Sequence, residues 1–349
     1  MKMALAARQA SEIQRPAGEQ VTTPFQASAI IPTHNRQQLL EMTLERLVGQ
    51  TVDLSSVEVI VVADGCTDGT IDMLRSHGWP FSLRVLQQEQ RGRACARNAA
   101  AAAARAPVLI FLDDDVMAAP DLIEKHLAEY QDDVPTAAIG RLAPASMRGV
   151  PGWHRWVEGQ LEKQYRAMLK GRRLISGVCL YSGNCSISRD AFLKINGFNE
   201  RLPYSEDIEL GLRLEKAGVR FRLALNASAE HWGYRGYDSW RDMAHSYGRW
   251  DAGLLYNAEF PSAVARLRDE YRRRGRIRQR IVSSTLKSEQ RLRLSVGALR
   301  LLAVACSFVR LSFLERKAYG AIYDLTYWKG VSDELGGLRA VARAVGRAP

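Results

Sequence analysis

Past residue 26 the chain alternates short apolar runs with stretches whose apolar residues recur at helical intervals. Ala29-Ile30-Ile31 reads as a brief strand ending at Pro32-Thr33-His34-Asn35-Arg36, and Leu40, Leu44, Leu47 and Val48 then predict a helix over Gln37–Gln50. Val57 to Val62 reads as a buried strand, the turn residues Asp64 to Thr70 follow it, and Ile71–Ser76 reads as a capped helix. A third strand over Phe81–Leu86 precedes the basic loop Arg91-Gly92-Arg93 and an alanine-rich helix over Ala94–Arg105. The fourth strand, Val108-Leu109-Ile110-Phe111-Leu112, is apolar throughout, as suits a strand buried on both faces. Strands alternating with helices at this spacing predict the α/β class, with a Rossmann-like, mostly parallel sheet joined by right-handed crossovers.

The pattern then loosens. Thr136–Leu142 predicts another strand, whereas Pro144–Arg173 carries Trp153, His154, Trp156 and Tyr165 among basic residues without clear periodicity, which suits a mobile flap. Leu180–Ser188 reads as a strand with Gly183 at a close backbone approach, and Asp190–Ile195 as a short helix. A helix over Ile208–Lys216 closes at Gly218, Arg220–Leu225 returns as a strand, and the chain beyond Tyr237 is helical in pattern. The expected organisation is a loosely ordered lead-in at 1–26, a catalytic domain at 27–235 divided into halves 27–142 and 143–235, and a helical C-terminal subdomain at 236–349.

Charge changes the picture only regionally. From Pro261 onward 19 basic residues face 7 acidic ones, while the preceding chain holds 30 against 31, so the net +11 belongs to the tail. The five cysteines are odd in number and lack CxxC spacing, which argues against a disulfide framework or a structural zinc site and for a cytoplasmic setting. Leu294–Leu314 is the most apolar stretch, but Arg300 and Arg310 leave a charge-free run of only nine residues, too short to span a bilayer.

Candidate chemistry gathers after the fourth strand. Asp113-Asp114-Asp115 stand where open α/β sheets place their ligands, and carboxylates so crowded repel one another unless a divalent cation joins them. A solvated acidic turn ahead of Pro120 is the plainer alternative. Thr33, Asn35 and Arg36 end the first strand, where a helix N-terminus could receive a nucleotide, or where Thr33 or Asn35 simply caps that helix. Asp64 ends the second strand, and Asp68 has the position of a helix cap. Arg91 and Arg97 suit the oxygens of a diphosphate or, equally, ordinary surface charges. Glu206 and Asp207 precede a helix, so one of the pair is spare after capping.

Ile31-Pro32-Thr33-His34-Asn35-Arg36, Val62-Ala63-Asp64-Gly65-Cys66-Thr67-Asp68-Gly69-Thr70, Arg91-Gly92 with Ala96-Arg97-Asn98, Phe111-Leu112-Asp113-Asp114-Asp115, and Gly197-Phe198-Asn199-Glu200 with Glu206-Asp207 occur in this order. Together they resemble the inverting nucleotide-sugar glycosyltransferases of the A-type fold, the family 2-like group, across roughly residues 27 to 235. The resemblance implies a metal-dependent inverting transfer from a nucleotide-diphosphate sugar, most often a uridine diphosphate sugar, to an acceptor such as a cell-envelope glycan, a lipid-linked intermediate or a natural product. It implies that Pro32, Thr33, Asn35, Arg36, Asp64, Arg91, Arg97, Asp113 and Asp114 meet the donor, Asp64 at the nucleobase and Asp114 at the ribose. It further implies Mn²⁺ or Mg²⁺ on Asp115 and Asp113, with His231 either a further ligand or a structural histidine. Asp207 takes the place of the catalytic base, with Glu206 beside it. Trp153, Trp156, Trp232 and Tyr234 are candidates for a sugar or acceptor pocket, or else core aromatics.

Two rivals stand beside this reading. A nucleotidyltransferase of similar sheet would need a glycine-rich, lysine-bearing phosphate loop near the first strand, which is absent. A non-catalytic sugar-nucleotide-binding scaffold would have little use for intact Asp113-Asp114-Asp115 and Glu206-Asp207. In the tail, Arg266, Arg268, Arg272-Arg273-Arg274, Arg276, Arg278 and Arg280 have only Tyr271 as a nearby aromatic, which argues against nucleic acid. Either they decorate a packed helical subdomain or they make peripheral contact with anionic lipid on the inner face of a membrane. The oligomeric state has no signal in the sequence.

Overall fold

The computed structural model describes residues 11–13, 25–146, 149–254 and 276–344, and the arginines from 266 to 274 lie outside them. The strands are β1 Ser11–Ile13, β2 Ala27–Thr33, β3 Val57–Asp64, β4 Ser82–Gln88, β5 Val108–Leu112, β6 Val116–Ala118, β7 Thr136–Ala143, β8 Asn184–Ser188 and β9 Arg220–His231. The helices are α1 Gln37–Val48, α2 Thr70–Ser76, α3 Arg93–Ala103, α4 Leu122–Leu127, α5 Gly152–Leu169, α6 Arg189–Lys194, α7 Glu206–Lys216, α8 Tyr237–Leu254, α9 Arg276–Thr285, α10 Glu289–Phe308, α11 Ser312–Glu334 and α12 Leu338–Ala344.

The nine strands of the described residues form one sheet in the order β1-β4-β3-β2-β5-β8-β7-β9-β6. Its centre, β4-β3-β2-β5, is parallel, as the alternating pattern requires. β8 adds antiparallel to β5, and β7 pairs antiparallel with β8 and parallel with β9. Because β2, β3 and β5 are buried along their whole length, both faces of the sheet carry cores. One joins Leu40, Leu44, Val59, Ile110 and Leu122, the other Ile60, Leu109, Phe111, Phe192 and Leu210.

The chain divides into two compact units, Met1–Met147 with Leu161–Gly233 and Arg148–Gln160 with Tyr234–Pro349. In the second, α8 and α11 approach closely because Gly248 and Gly330 present no side chain to the facing backbone of Tyr327 and His245. Trp240, Tyr237 and Tyr319 pack with Ile322 in one of its cores.

Several elements differ from the sequence pattern, beginning with β1, which lies within the expected loose lead-in yet pairs antiparallel with β4. Pro144–Arg173 is not a flap: most of it is the 18-residue helix α5, whose Tyr165 and Met168 are buried. Its wide spread of large aromatics and basic residues hides the helical period, because different parts of the helix pack in different units. β8 starts at Asn184 rather than Leu180, after a 3₁₀ turn at Gly177–Cys179. β9 runs on from Leu225 to His231, past a register shift opposite Gly140/Arg141, and its far end pairs with β6.

Candidate active site

The carboxyl ends of β2, β3 and β5 bring the predicted loops together. Thr33 does not cap α1; its hydroxyl donates to Asp114 Oδ2 at 2.7 Å. Arg36 sits at the N-terminal boundary of α1 and donates from Nη1 to Asp114 Oδ1 at 2.9 Å and to Asp115 Oδ2 at 2.6 Å. Burial and the charge of Asp115 push Asp114 up to about 6. Burial also favours neutral Asp115, but the His231 ring and the Arg36 guanidinium outweigh it and hold that carboxyl below the usual range.

Asp115, Asp113 and His231 each offer a ligand atom, all within 4.8 Å of one another. Asp115 Oδ1 is buried without a hydrogen bond of proper geometry and lies 3.2 Å from His231 Nε2. The Asp115 carbonyl accepts from Trp232 N at 2.8 Å, which fixes the end of β9 against that of β5. A Cβ at Gly233 would collide with the Asp115 carboxylate, so a glycine is required for the acid to lie there. Two carboxylates and an imidazole around an unsatisfied buried oxygen fit a divalent cation such as Mn²⁺ or Mg²⁺.

Asp64 is a hub of backbone order. Its Oδ1 accepts from Gln88 Nε2 at 2.7 Å and Arg91 N at 2.8 Å, its Oδ2 from Gly92 N at 2.8 Å, and its carbonyl from His34 Nδ1 at 2.6 Å. Gly92, at φ 89°, turns the chain there into α3. Asn35, at φ 51°, accepts from Thr67 N at 2.7 Å; Asp68 does not cap α2, where Gly69 holds the cap position, but accepts from the first N–H groups of both helices, Thr70 N at 3.1 Å and Gln37 N at 3.2 Å.

The base candidate stands across a buried ionic chain. Arg97, 1% exposed, donates from Nη2 to Asp113 Oδ1 at 2.5 Å and from Nη1 to Glu206 Oε1 at 3.3 Å. Arg93 pairs with the same Glu206 at 2.5 Å. Asp207 follows Glu206 in the first turn of α7 and accepts from Ile208 N at 2.8 Å. Its carboxyl keeps a partly open face yet is enclosed by protein on most sides; that burial, then the charge of Glu206, pushes it up to about 7, against Arg93 and Arg97. Asn98 exchanges hydrogen bonds with Phe198 and reaches Glu200 at 3.0 Å, so the Ala96-Arg97-Asn98 word holds the Gly197-Phe198-Asn199-Glu200 loop in place.

Residues 28–195 match the family described as glycosyl transferase family 2. Over those residues the chain is a family 2-like glycosyltransferase domain. It is 30% identical over 232 residues to a validoxylamine A glucosyltransferase of Streptomyces hygroscopicus subsp. jinggangensis, covering 59% of this chain and 54% of that one. It thus spans about half the length of that relative. In fold it resembles a mannosyltransferase from Pyrobaculum calidifontis solved with GDP-Man and Mn²⁺, at a TM-score of 0.58 and 18% identity over 94% of both chains. It also resembles residues 1–349 of S. aureus TarS solved with UDP-GlcNAc, at a TM-score of 0.54 and 18% identity over 90% of this chain and 93% of that one. The mixed α/β sheet with a helical C-terminal part is the A-type glycosyltransferase fold.

The remaining predicted residues have varied surroundings. Arg91 faces Glu200 at 3.7 Å, and Pro32 is buried within β2. Trp232 Nε1 donates to Glu230 at 2.9 Å. Trp153 packs edge-on to Tyr237, Trp156 against Tyr323 and Trp240, and Tyr234 against His154, so these three belong to the aromatic packing of the second unit. The pattern of the sequence overlooks Gln88 and Gly233. Gln88 carries a signal, a polar side chain at the end of a strand next to Asp64, while Gly233 gains meaning only from the approach of β9 to β5.

Proposed function

We propose that this glycosyltransferase moves a sugar from a nucleoside diphosphate donor, with a uridine diphosphate sugar as the first candidate, to a nucleophile deprotonated by Asp207, inverting the anomeric centre. One observation carries the reading: the sheet edge gathers the Asp113, Asp115 and His231 donors and, joined to them through Arg97 and Glu206, a carboxyl raised to about 7. A base with that affinity is half ionised near neutral pH and can accept a proton as transfer proceeds. The acceptor's proton passes to Asp207 as its freed electron pair forms the bond to the anomeric carbon, and the glycosyl–phosphate bond breaks on the opposite face, its electrons leaving with the diphosphate.

Asp113, Asp115 and His231 would hold the divalent cation, which supplies charge neutralisation for the leaving diphosphate. Arg36 restrains Asp114 and Asp115 and keeps part of its guanidinium exposed beside them, suited to the donor's ribose and phosphates. Asp64 shapes the loop that receives the base by binding two successive backbone N–H groups. The fold-level likeness to proteins solved with UDP-GlcNAc and with GDP-Man and Mn²⁺ supports a nucleotide-sugar donor and a cation.

Thermal shift with UDP-, GDP- and dTDP-sugars, each with and without Mn²⁺, followed by donor hydrolysis, tests the proposal. Stabilisation by a uridine nucleotide that grows with Mn²⁺ is expected; stabilisation by none of the nucleotides under either condition would sink it.

A further inference from the structure

The turn between α10 and α11 exposes apolar side chains that the fold elsewhere buries. Phe308 is 84% exposed, Leu301 74%, Val309 65%, Phe313 63%, Leu311 50% and Leu314 45%, all within fourteen consecutive residues. A cluster this dense on a single turn marks a surface that meets something apolar. We propose that this helical hairpin tip docks on an anionic lipid bilayer, lying in its surface rather than crossing it.

The backbone of the tip suits that environment. Leu311 N donates to the Cys306 carbonyl at 2.8 Å and Arg310 N to that of Ser307 at 3.2 Å, the paired bonds that close a helix through a left-handed residue, here Arg310 at φ 56°. Glu315 N then bonds the Leu311 carbonyl at 3.1 Å as α11 begins. A helix end closed by such bonds carries fewer open carbonyls into a low-dielectric layer than an open loop would. Among the described residues no helix is long and apolar enough to cross a membrane, so insertion is shallow.

Charge names the occupant. Arg310 stands at the apex, with Arg316 and Lys317 at the start of α11 and Arg291, Arg293 and Arg300 along α10. The only two acids between 289 and 317 are neutralised within the unit: Glu315 is buried against Arg155 at 2.6 Å, and Glu289 meets Lys329 at 3.0 Å. Two copies meeting tip to tip would bring like charges together, whereas anionic headgroups around an apolar layer complement both the arginines and the phenylalanines. Arginine stems lie along apolar surface while their heads reach the phosphates.

Flotation of the full chain with phosphatidylglycerol–phosphatidylcholine vesicles and with pure phosphatidylcholine vesicles, at low and high salt, tests this. Binding to the anionic vesicles is expected, weakened by salt, and reduced about tenfold in Phe308→Ser/Phe313→Ser, whose donor hydrolysis stays unchanged. Three results would each overturn the proposal: no binding to anionic vesicles at low salt; binding that the double variant retains in full but Arg272→Ala/Arg273→Ala/Arg274→Ala loses; or a dimer in sedimentation velocity that the double variant dissociates while vesicle binding is absent.

Discussion

At the carboxyl edge of the sheet charges are matched one by one with opposite charges, whereas at the α10–α11 tip apolar side chains stand open to water. Arg36 faces Asp114 and Asp115, Arg97 faces Asp113 and Glu206, and Asp64 is met by two backbone N–H groups. Phe308 and Phe313 have most of their surface accessible. The edge is finished internally, so what the proposed transfer still asks of it is small: an ion, a diphosphate, a nucleophile that gives up its proton. The tip is unfinished over an area that only another large surface would cover.

The largest effect is expected where the internal matching stops. Asp207→Asn removes the proposed proton acceptor and should lower transfer by about 10²- to 10⁴-fold. The same variant reads out the buried charge. A carboxyl raised to about 7 contributes stability that is full below its unfolded pKa and lost as pH rises through 7, because the folded state then holds an ion that burial disfavours. Asp207→Asn should therefore melt above wild type at about pH 8, with the advantage shrinking toward about pH 5. An unchanged melting temperature at the higher pH would show that Asp207 carries no such cost.

Next come the proposed cation ligands. Asp115→Asn, or chelation of divalent ions in the wild type, should depress transfer by about a hundredfold or more, with excess Mn²⁺ restoring the chelated wild type but not the variant. Arg97→Met should cost about 3 kcal/mol in denaturant unfolding, since it leaves Asp113 and Glu206 without their buried partner. It should also shift the acid limb of the pH–rate profile upward, because removing a nearby cation raises the affinity of Asp207 for its proton. Arg97→Lys keeps the charge and should return the limb toward that of wild type, an outcome a purely structural role would not give.

Much of the edge is legible in the sequence because each of its words ends a strand or begins a helix. Val108–Leu112 can only be a buried strand in this setting, so Asp113 to Asp115 must stand at the sheet's edge. What is hidden depends on distant approach. Arg97 reads as a surface charge or a phosphate ligand, and nothing local announces that it is buried between acids from β5 and α7. His231 reads as the aftermath of a strand ending at Leu225, because the shift near Gly140 that lets β9 continue belongs to its pairing with β7. The tip was legible only as the most apolar stretch of the tail; its exposure follows from how α10 and α11 pack.

The smallest effects compare the two regions most directly, since each contains a non-glycine residue in the left-handed region. Ser205 precedes α7 at φ 58°, buried, with its hydroxyl unbonded; Arg310 crowns the tip at φ 56°, exposed. Neither side chain assists its own backbone as asparagine can, so each conformation costs about 1 kcal/mol relative to glycine, partly offset by the greater freedom glycine has when unfolded. Ser205→Gly and Arg310→Gly should each raise the melting temperature by about one degree. Their functional consequences should separate. Ser205 sets the direction in which the chain enters α7, so a freer backbone there lets Asp207 wander and should lower kcat a few-fold with little change in KM for the donor. Arg310→Gly should leave kcat alone and weaken only binding to anionic vesicles, by less than the double phenylalanine variant, because it removes one charge and no apolar area. A loss of kcat in Arg310→Gly measured without lipid would mean that the tip serves the chemistry itself.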